Sequence, residues 1–296
     1  MGQIDHRAEV REFLSSRRAR ITPEQAGLPA YGGNRRVKGL RREEVAMLAG
    51  VSIDYYVRME RGNLAGASDS VLDALAGALR LDEAEREHLF SLARAVSPGP
   101  RRRRTPPATV RPAIQQVLDA ITDAPAWVRN GRHDIVAMNR LARALYAPVL
   151  ADPRRPANTT RFVYLDPAAR EFFVDWDRVA NDAAAMLRLE AGRDPHDRAL
   201  IELVGELSTQ SEVFRQRWAS HDVQFHRSGQ KRLRHPVVGQ LDLNFESMEL
   251  PSEPGLTLIV YTATPGSPAA DGLKMLASWA ATQDLAEAQQ ASPDQT

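Results

Sequence analysis

The chain has 296 residues, room for two compact domains, and its 43% hydrophobic content is ordinary for a protein that buries a core. It holds no cysteine, which excludes disulfides, thiolate metal sites and a cysteine nucleophile, and no apolar run nears the roughly 18 residues needed to span a bilayer. The net charge of +1 hides an asymmetry: residues 1–112 carry 20 Lys and Arg against 14 Asp and Glu, the remainder 19 against 24, so only the first part suits a polyanion such as DNA.

The first residues, MGQIDHRAEVREFL, alternate charge with apolar groups and form no signal-peptide core, so a cytoplasmic protein without membrane contact is expected. Val10, Phe13, Leu14 and Arg17 then recur at helical spacing, as do Val71, Leu72, Leu75 and Leu79. Start signals agree: Thr22-Pro23-Glu24-Gln25 supplies a cap and a first-turn proline, and Asp82 to Glu85 forms a capping box. Five helices, one of them short, are expected between Ala8 and Ala95, with an added turn after Thr22.

Leu40 to Gly62 reads as helix, three-residue turn and helix. Gly50 suits the left-handed end of the first helix, Val51 the core between the two, and Ser52 the cap of the second. Ala46 is small where the helices must approach. Tyr56 and Met59 share a face with Val51, which leaves Ile53, Asp54, Tyr55, Val57, Arg58 and Arg61 outward to enter a major groove. Glu60 reads as the anion of an internal ion pair.

Ser97 to Pro107 joins helix breakers to Arg101–Arg104 and reads as an exposed linker that either clasps a minor groove or stays solvated. Beyond it, Trp127–Met138 reads as two short strands joined through Asn130-Gly131, and LTLIVYT at 256–262 as a central strand. Helices are expected near 173–190, 195–208 and 210–220, and strands around 222–228 and 240–248. Asn139 suits a helix cap after the second strand, and Arg143 and Arg161 suit surface roles better than a carboxylate anchor. The boundaries read as 1–96, a linker at 97–110, a second domain at 111–282 and an irregular tail at 283–296.

The segment Leu40–Gly62 resembles the XRE (Cro/C1-type repressor) helix-turn-helix family, whose pattern is occupied by Glu44, Ala46, Gly50, Val51, Ser52, Tyr56, Glu60 and Gly62. The polar residue usual at the second position of that family's second helix is Ile53 here. Together with SDSVLDALAGALRLDEAEREHLF and DAPAWVRNGRHDIVAMNRLARALY, the chain from about 8 to 282 resembles regulators that join an XRE domain to an MmyB-like ligand-binding domain. The resemblance implies an all-α, lambda-repressor-like helix-turn-helix bundle followed by an α+β, PAS-like domain. It also implies a transcription regulator whose second domain binds a small apolar molecule; a fatty-acid-like or other apolar effector and no enzyme activity are expected of this chain.

On that reading, Arg41, Arg42, Ser52, Ile53, Asp54, Tyr55, Arg58 and Arg61 face double-stranded DNA, joined by Arg35, Arg36 and Lys38 of the preceding loop. A homodimer on an inverted repeat is expected. The alternative is a helix-turn-helix adaptor that binds protein, for which Asp54 speaks and the flanking arginines do not. In the sensor, Trp127, Met138, Phe162, Phe172, Phe173, Trp176, Met186, Phe214, Trp218 and Tyr261 are the candidate ligand-lining residues, each equally suited to ordinary core packing. No cofactor is called for. His221, Asp222, His226 and His235 follow no compact metal spacing, and no nucleophile elbow, phosphate loop or HExxH motif is present.

Overall fold

A computed structural model describes residues 5–28, 37, 39–96, 109–154 and 156–290. Arg35, Arg36, Lys38 and the Ser97–Pro107 linker lie outside the described residues. In chain order the elements are α1 (His6–Arg20), α2 (Arg42–Leu48), α3 (Ile53–Glu60), α4 (Asp69–Ala78), α5 (Glu83–Val96), α6 (Pro112–Ala120), β1 (Ala126–Asn130) and β2 (Ile135–Met138). There follow α7 (Arg140–Leu145), α8 (Ala147–Leu150), α9 (Thr159–Leu165), α10 (Ala168–Phe172), α11 (Trp176–Arg193), α12 (Arg198–Gln210) and α13 (Glu212–Ala219). Last come β3 (Ser228–His235), β4 (Gly239–Glu249), β5 (Leu256–Thr262) and α14 (Pro268–Gln290).

The chain packs as two compact units, residues 1–102 with 184–225, and residues 103–183 with 226–296. The first is all helical. The five helices expected before the linker form, with the turn after Thr22 at residues 23–27. Val10, Phe13, Leu14 and Arg17 are buried on one stripe of α1, against a core that includes Val45, Tyr56, Met59, Leu72, Leu75 and Leu89. Leu189 and Val223 belong to that same core. The sequence expectation gave residues 184–225 to the second domain, but they carry the partners of buried charges on α1. Arg188, 2% exposed, pairs with Glu9, and Arg17 donates to the carbonyl of His221 at 2.5 Å.

The second unit is α+β, with a five-stranded antiparallel sheet in the order β2-β1-β5-β4-β3. One face, with Ala126, Val128 and Leu256, packs on Leu118 of α6. The other carries Trp127, Ile259, Tyr261, Phe245 and Leu233, as the registers Trp127↔Ile259 and Phe245↔Tyr261 require. Helices cover this inner face: the Tyr146 ring sits 5.2 Å from Trp127, Phe173 bridges to Leu233, and Gly272 of α14 is in contact with Leu241. Asn139 caps α7, accepting from the Ala142 N–H at 2.8 Å, and also accepts from the Ala126 N–H at 3.1 Å.

Two expectations are corrected. The strand placed around 222–228 runs instead from Ser228 to His235, because only Lys231, Leu233 and His235 turn inward and a single aliphatic residue conceals the alternation. The tail expected to be irregular from 283 remains helical through Gln290, since Leu285-Ala286-Glu287-Ala288-Gln289 are strong helix formers.

Candidate functional site

The first candidate surface is built on the turn between α2 and α3. Gly50 has φ of +65°, which closes α2, and the Val51 N–H donates to the Ala46 carbonyl at 3.0 Å. The Ser52 hydroxyl accepts from the Tyr55 N–H at 3.2 Å, so this predicted DNA contact is occupied as a helix cap. Glu60, 1% exposed, accepts from Arg18 of α1 at 2.7 Å and from Arg42 of α2, which locks α3 to both. Gly62 lets α1 pass, since a Cβ there would stand 2.5 Å from the Arg7 carbonyl oxygen.

What faces outward is consequently fixed. Ile53, Asp54, Arg58 and Arg61 are exposed, and Tyr55 is half-buried with the Arg58 guanidinium stacked 4.7 Å over its ring. Asp54, Arg58 and Arg61 line one depression of about 430 Å³ with Val57, Asn63 and Arg7. Arg7 is absent from the sequence-predicted set, and the only cue to it was Gly62, the residue that admits α1. Arg41 pairs with Glu43 at 3.2 Å, Arg42 spends its Nε on Glu60, and neither lines this depression. Met47 and Ile53 are 63% and 52% exposed, an apolar pair at the turn itself.

The second candidate is the inner face of the sheet. Trp127, Met138, Phe162, Phe172, Phe173, Trp176 and Tyr261 are all buried in this unit. Phe162, Phe172 and Phe173 pack edge to face with centroids 4.9–6.0 Å apart. Trp176 donates its indole N–H to the Val163 carbonyl at 2.9 Å, a scaffold role. Met186, Phe214 and Trp218 fall in the first unit instead, where Phe214 stacks on Trp218 and Arg188 lies 4.1 Å over the Trp218 ring.

Sequence reasoning missed the polar half of this face. Tyr146 and Tyr261 share a hydroxyl hydrogen bond of 2.6 Å, and burial pushes Tyr261 up to about 12. His133, 1% exposed at φ +66°, shares a 2.6 Å hydrogen bond between Nδ1 and the Thr160 hydroxyl, and its Nε2 is buried without a partner. The Ser247 hydroxyl is likewise buried and unpartnered. Lys231 is 6% exposed, and His226 stacks on Phe245 at 4.1 Å. Burial holds His133 and His226 well below the usual histidine range, with Arg129 and Lys231 adding repulsion. Among the described residues, no three His, Asp or Glu side chains are grouped to hold a metal.

With both surfaces in view, the comparisons separate along the chain. Residues 11–89 match a helix-turn-helix domain model. Residues 110–276, more than half of the chain, match the MmyB-like transcription regulator ligand binding domain. The chain belongs to the MmyB-like transcription regulators. It is therefore a ligand-sensing helix-turn-helix regulator, and both matched families are regulator domains, not enzymes. No curated protein is similar enough to count as a match. No described helix of this MmyB-like regulator is long and apolar enough to cross a membrane. Its ligand-binding match also includes residues 184–225, which pack in the helix-turn-helix unit.

Proposed function

We propose that this regulator acts in the cytoplasm as a homodimer, reading an inverted repeat in double-stranded DNA with two α3 helices set one helical turn apart. The observation that carries the proposal is the outward row of α3. Glu60 and Ser52 are consumed internally, and what remains is Ile53, Asp54, Tyr55, Arg58 and Arg61, with Arg7 alongside. Arg58, Arg61 and Arg7 supply phosphate and base-edge contacts, and Ile53 offers an apolar surface for a thymine methyl. Arg41 and Arg42 of the preceding helix and, from the sequence, Arg35, Arg36 and Lys38 are further candidates for phosphate contact.

The second domain senses a small molecule with a largely apolar body, for which the aromatic inner face is the support. Binding shifts the spacing or orientation of the recognition helices, a coupling typically of 1–3 kcal/mol. The placement of residues 184–225, matched by the ligand-binding family yet packed on α1 and α5, supports that link.

The test is capture of genomic fragments by the full chain, followed by affinity measurements over a salt series. Enrichment of a short inverted repeat with a steep salt slope is the expected result. Absence of both sequence enrichment and salt dependence refutes it and favours a protein-binding adaptor, for which the exposed Met47 and Ile53 would be the contact.

A further inference from the structure

The inner face of the sheet holds a cation that nothing at contact distance neutralises. Lys231 turns inward from β3, opposite Leu243 and diagonal to Phe245, and is 6% exposed. Among the described residues its ammonium has no hydrogen-bond or ion-pair partner; its one close feature is the Phe245 ring, 5.7 Å from Nζ. Buried ammonium groups are otherwise paired, because an uncompensated charge in a low dielectric is costly. Here burial pulls Lys231 down to about 8. Asp182 and Asp175 oppose that shift, and Arg178 and Arg129 reinforce it. Asp182 makes no hydrogen bond to it, and its own carboxyl is pushed up by burial.

Two more unsatisfied atoms and a stacked imidazole lie on the same face. His133 Nε2 and the Ser247 hydroxyl are buried without partners, and the His226 ring is stacked flat on Phe245, with an interplanar angle of 15°. Arg129 and Lys231 are near enough to His133 and His226 to oppose protonation of both imidazoles. A wholly apolar ligand would shut the ammonium off from the solvent it reaches and leave the imidazole nitrogen and the hydroxyl unmet, a worse outcome than solvating them. A multiply charged phosphate calls for a fork of arginines or a nest of backbone N–H groups, whereas one compact ammonium matches one carboxylate.

We propose that Lys231 is the anion-holding residue of the sensor domain, taking the carboxylate of a small aromatic acid. The acid's ring packs among Phe245, His226 and Tyr261, and its polar substituents reach His133 and Ser247. This rests on reading the second unit as the small-molecule sensor, and it makes the ligand's apolar body aromatic and gives it an acid group with a named partner.

The test is calorimetric titration of the full chain at pH 7 with naphthoate, its neutral isostere naphthamide, and inorganic phosphate, on wild type, Lys231→Met and Lys231→Arg. Wild type should bind naphthoate at least tenfold more tightly than the amide. Lys231→Met should lose that preference while still binding the amide, which shows it is folded, and Lys231→Arg should keep it. Above pH 8 the naphthoate affinity should fall, approaching tenfold per pH unit, as the lysine loses its proton. Equal affinity for acid and amide, or an unaffected Lys231→Met, overturns the anion site and leaves the sensor reading intact. Saturation by phosphate in place of naphthoate overturns the aromatic acid. Binding of none of the three likewise overturns the aromatic-acid site and leaves the sensor reading intact.

Discussion

Replacing Lys231 by methionine should make the ligand-free protein more stable, which is unusual for a change at a buried position. A lysine held near about 8, where a free one titrates at 10.5, is disfavoured as ammonium by about 3 kcal/mol at neutral pH. Below pH 8 both the folded and unfolded chains carry the proton, so the penalty is present in full. Between pH 8 and 10.5 the unfolded chain binds more protons than the folded one, so wild-type stability rises with pH. Methionine has a similar reach and no charge to desolvate. The variant should therefore gain about 3 kcal/mol at pH 7, and the gap should close toward pH 10.5. Urea unfolding followed by tryptophan fluorescence measures this, because Trp127, Trp176 and Trp279 lie in the second unit and only Trp218 in the first. The m-value should stay constant, so that a shift in midpoint reports stability alone. A less stable variant, or a wild-type to variant gap that does not change with pH, would refute the reasoning by showing that Lys231 already has its partner.

Other consequences follow from the same contacts. Arg58→Ala and Arg61→Ala should each lower the salt slope of operator binding by about one without moving the melting temperature, since both side chains are exposed; filter binding and thermal melts read the two effects. Arg42→Ala should behave differently, costing roughly 1 kcal/mol in a urea titration because buried Glu60 loses the hydrogen bond that the Arg42 Nε donates to it. His88 and His133, both held below the usual histidine range by burial, stay neutral in the folded protein while the unfolded chain protonates below about pH 6.5. Stability should thus fall by about 1.4 kcal/mol per pH unit per histidine as the pH drops from 6.5, and a flat profile between pH 7.5 and 5.5 would contradict this. A fragment ending at residue 96 should melt well below the full chain by circular dichroism, because Glu9 and Arg17 lose Arg188 and the His221 carbonyl; a buried charge left without its partner costs about 3–5 kcal/mol.

The helix-turn-helix was legible because each of its rules is local. A glycine at the turn, a serine cap and a small residue at the crossing sit at fixed spacing, and Gly50, Ser52 and Ala46 take the expected places. Glu60 was legible as an internal anion for the same reason, since a charge on the stripe of Tyr56 and Met59 must be paired. The sensor strands at 126–138 and 256–262 were legible from β-branched runs and an Asn-Gly turn. What escaped was non-local. Lys231 and Ser247 come to one face of the sheet only through its register, and they, like His133, read in sequence as ordinary surface residues. Met186, Phe214 and Trp218 looked like the other aromatic and sulfur side chains of the second half. Nothing local reveals that Arg188 answers Glu9, nearly two hundred residues away.

That long-range pair bears on how a ligand signal reaches DNA. Glu9 of α1 is held ionised against its burial by the imidazoles of His221 and His88, each with a ring nitrogen 3.6 Å away, and by the charge of Arg188, which itself donates to the Trp218 carbonyl. Burial keeps His88 neutral, leaving Arg188 as the formal counter-charge. An ion pair of this kind tolerates little displacement, because separating the charges in a low dielectric leaves each unsolvated. Arg188 lies on α11, and the same helix supplies Asp182, the first carboxylate acting on Lys231. An acidic ligand at Lys231 changes the charge that Asp182 experiences, and α11 is the element whose other end fixes Glu9 and, through α1, the helix against which α3 is locked by Arg18 and Glu60. Mutating Arg188 should consequently reduce the effect of ligand on operator affinity more than it reduces ligand binding itself, which separates a transmitting residue from a sensing one.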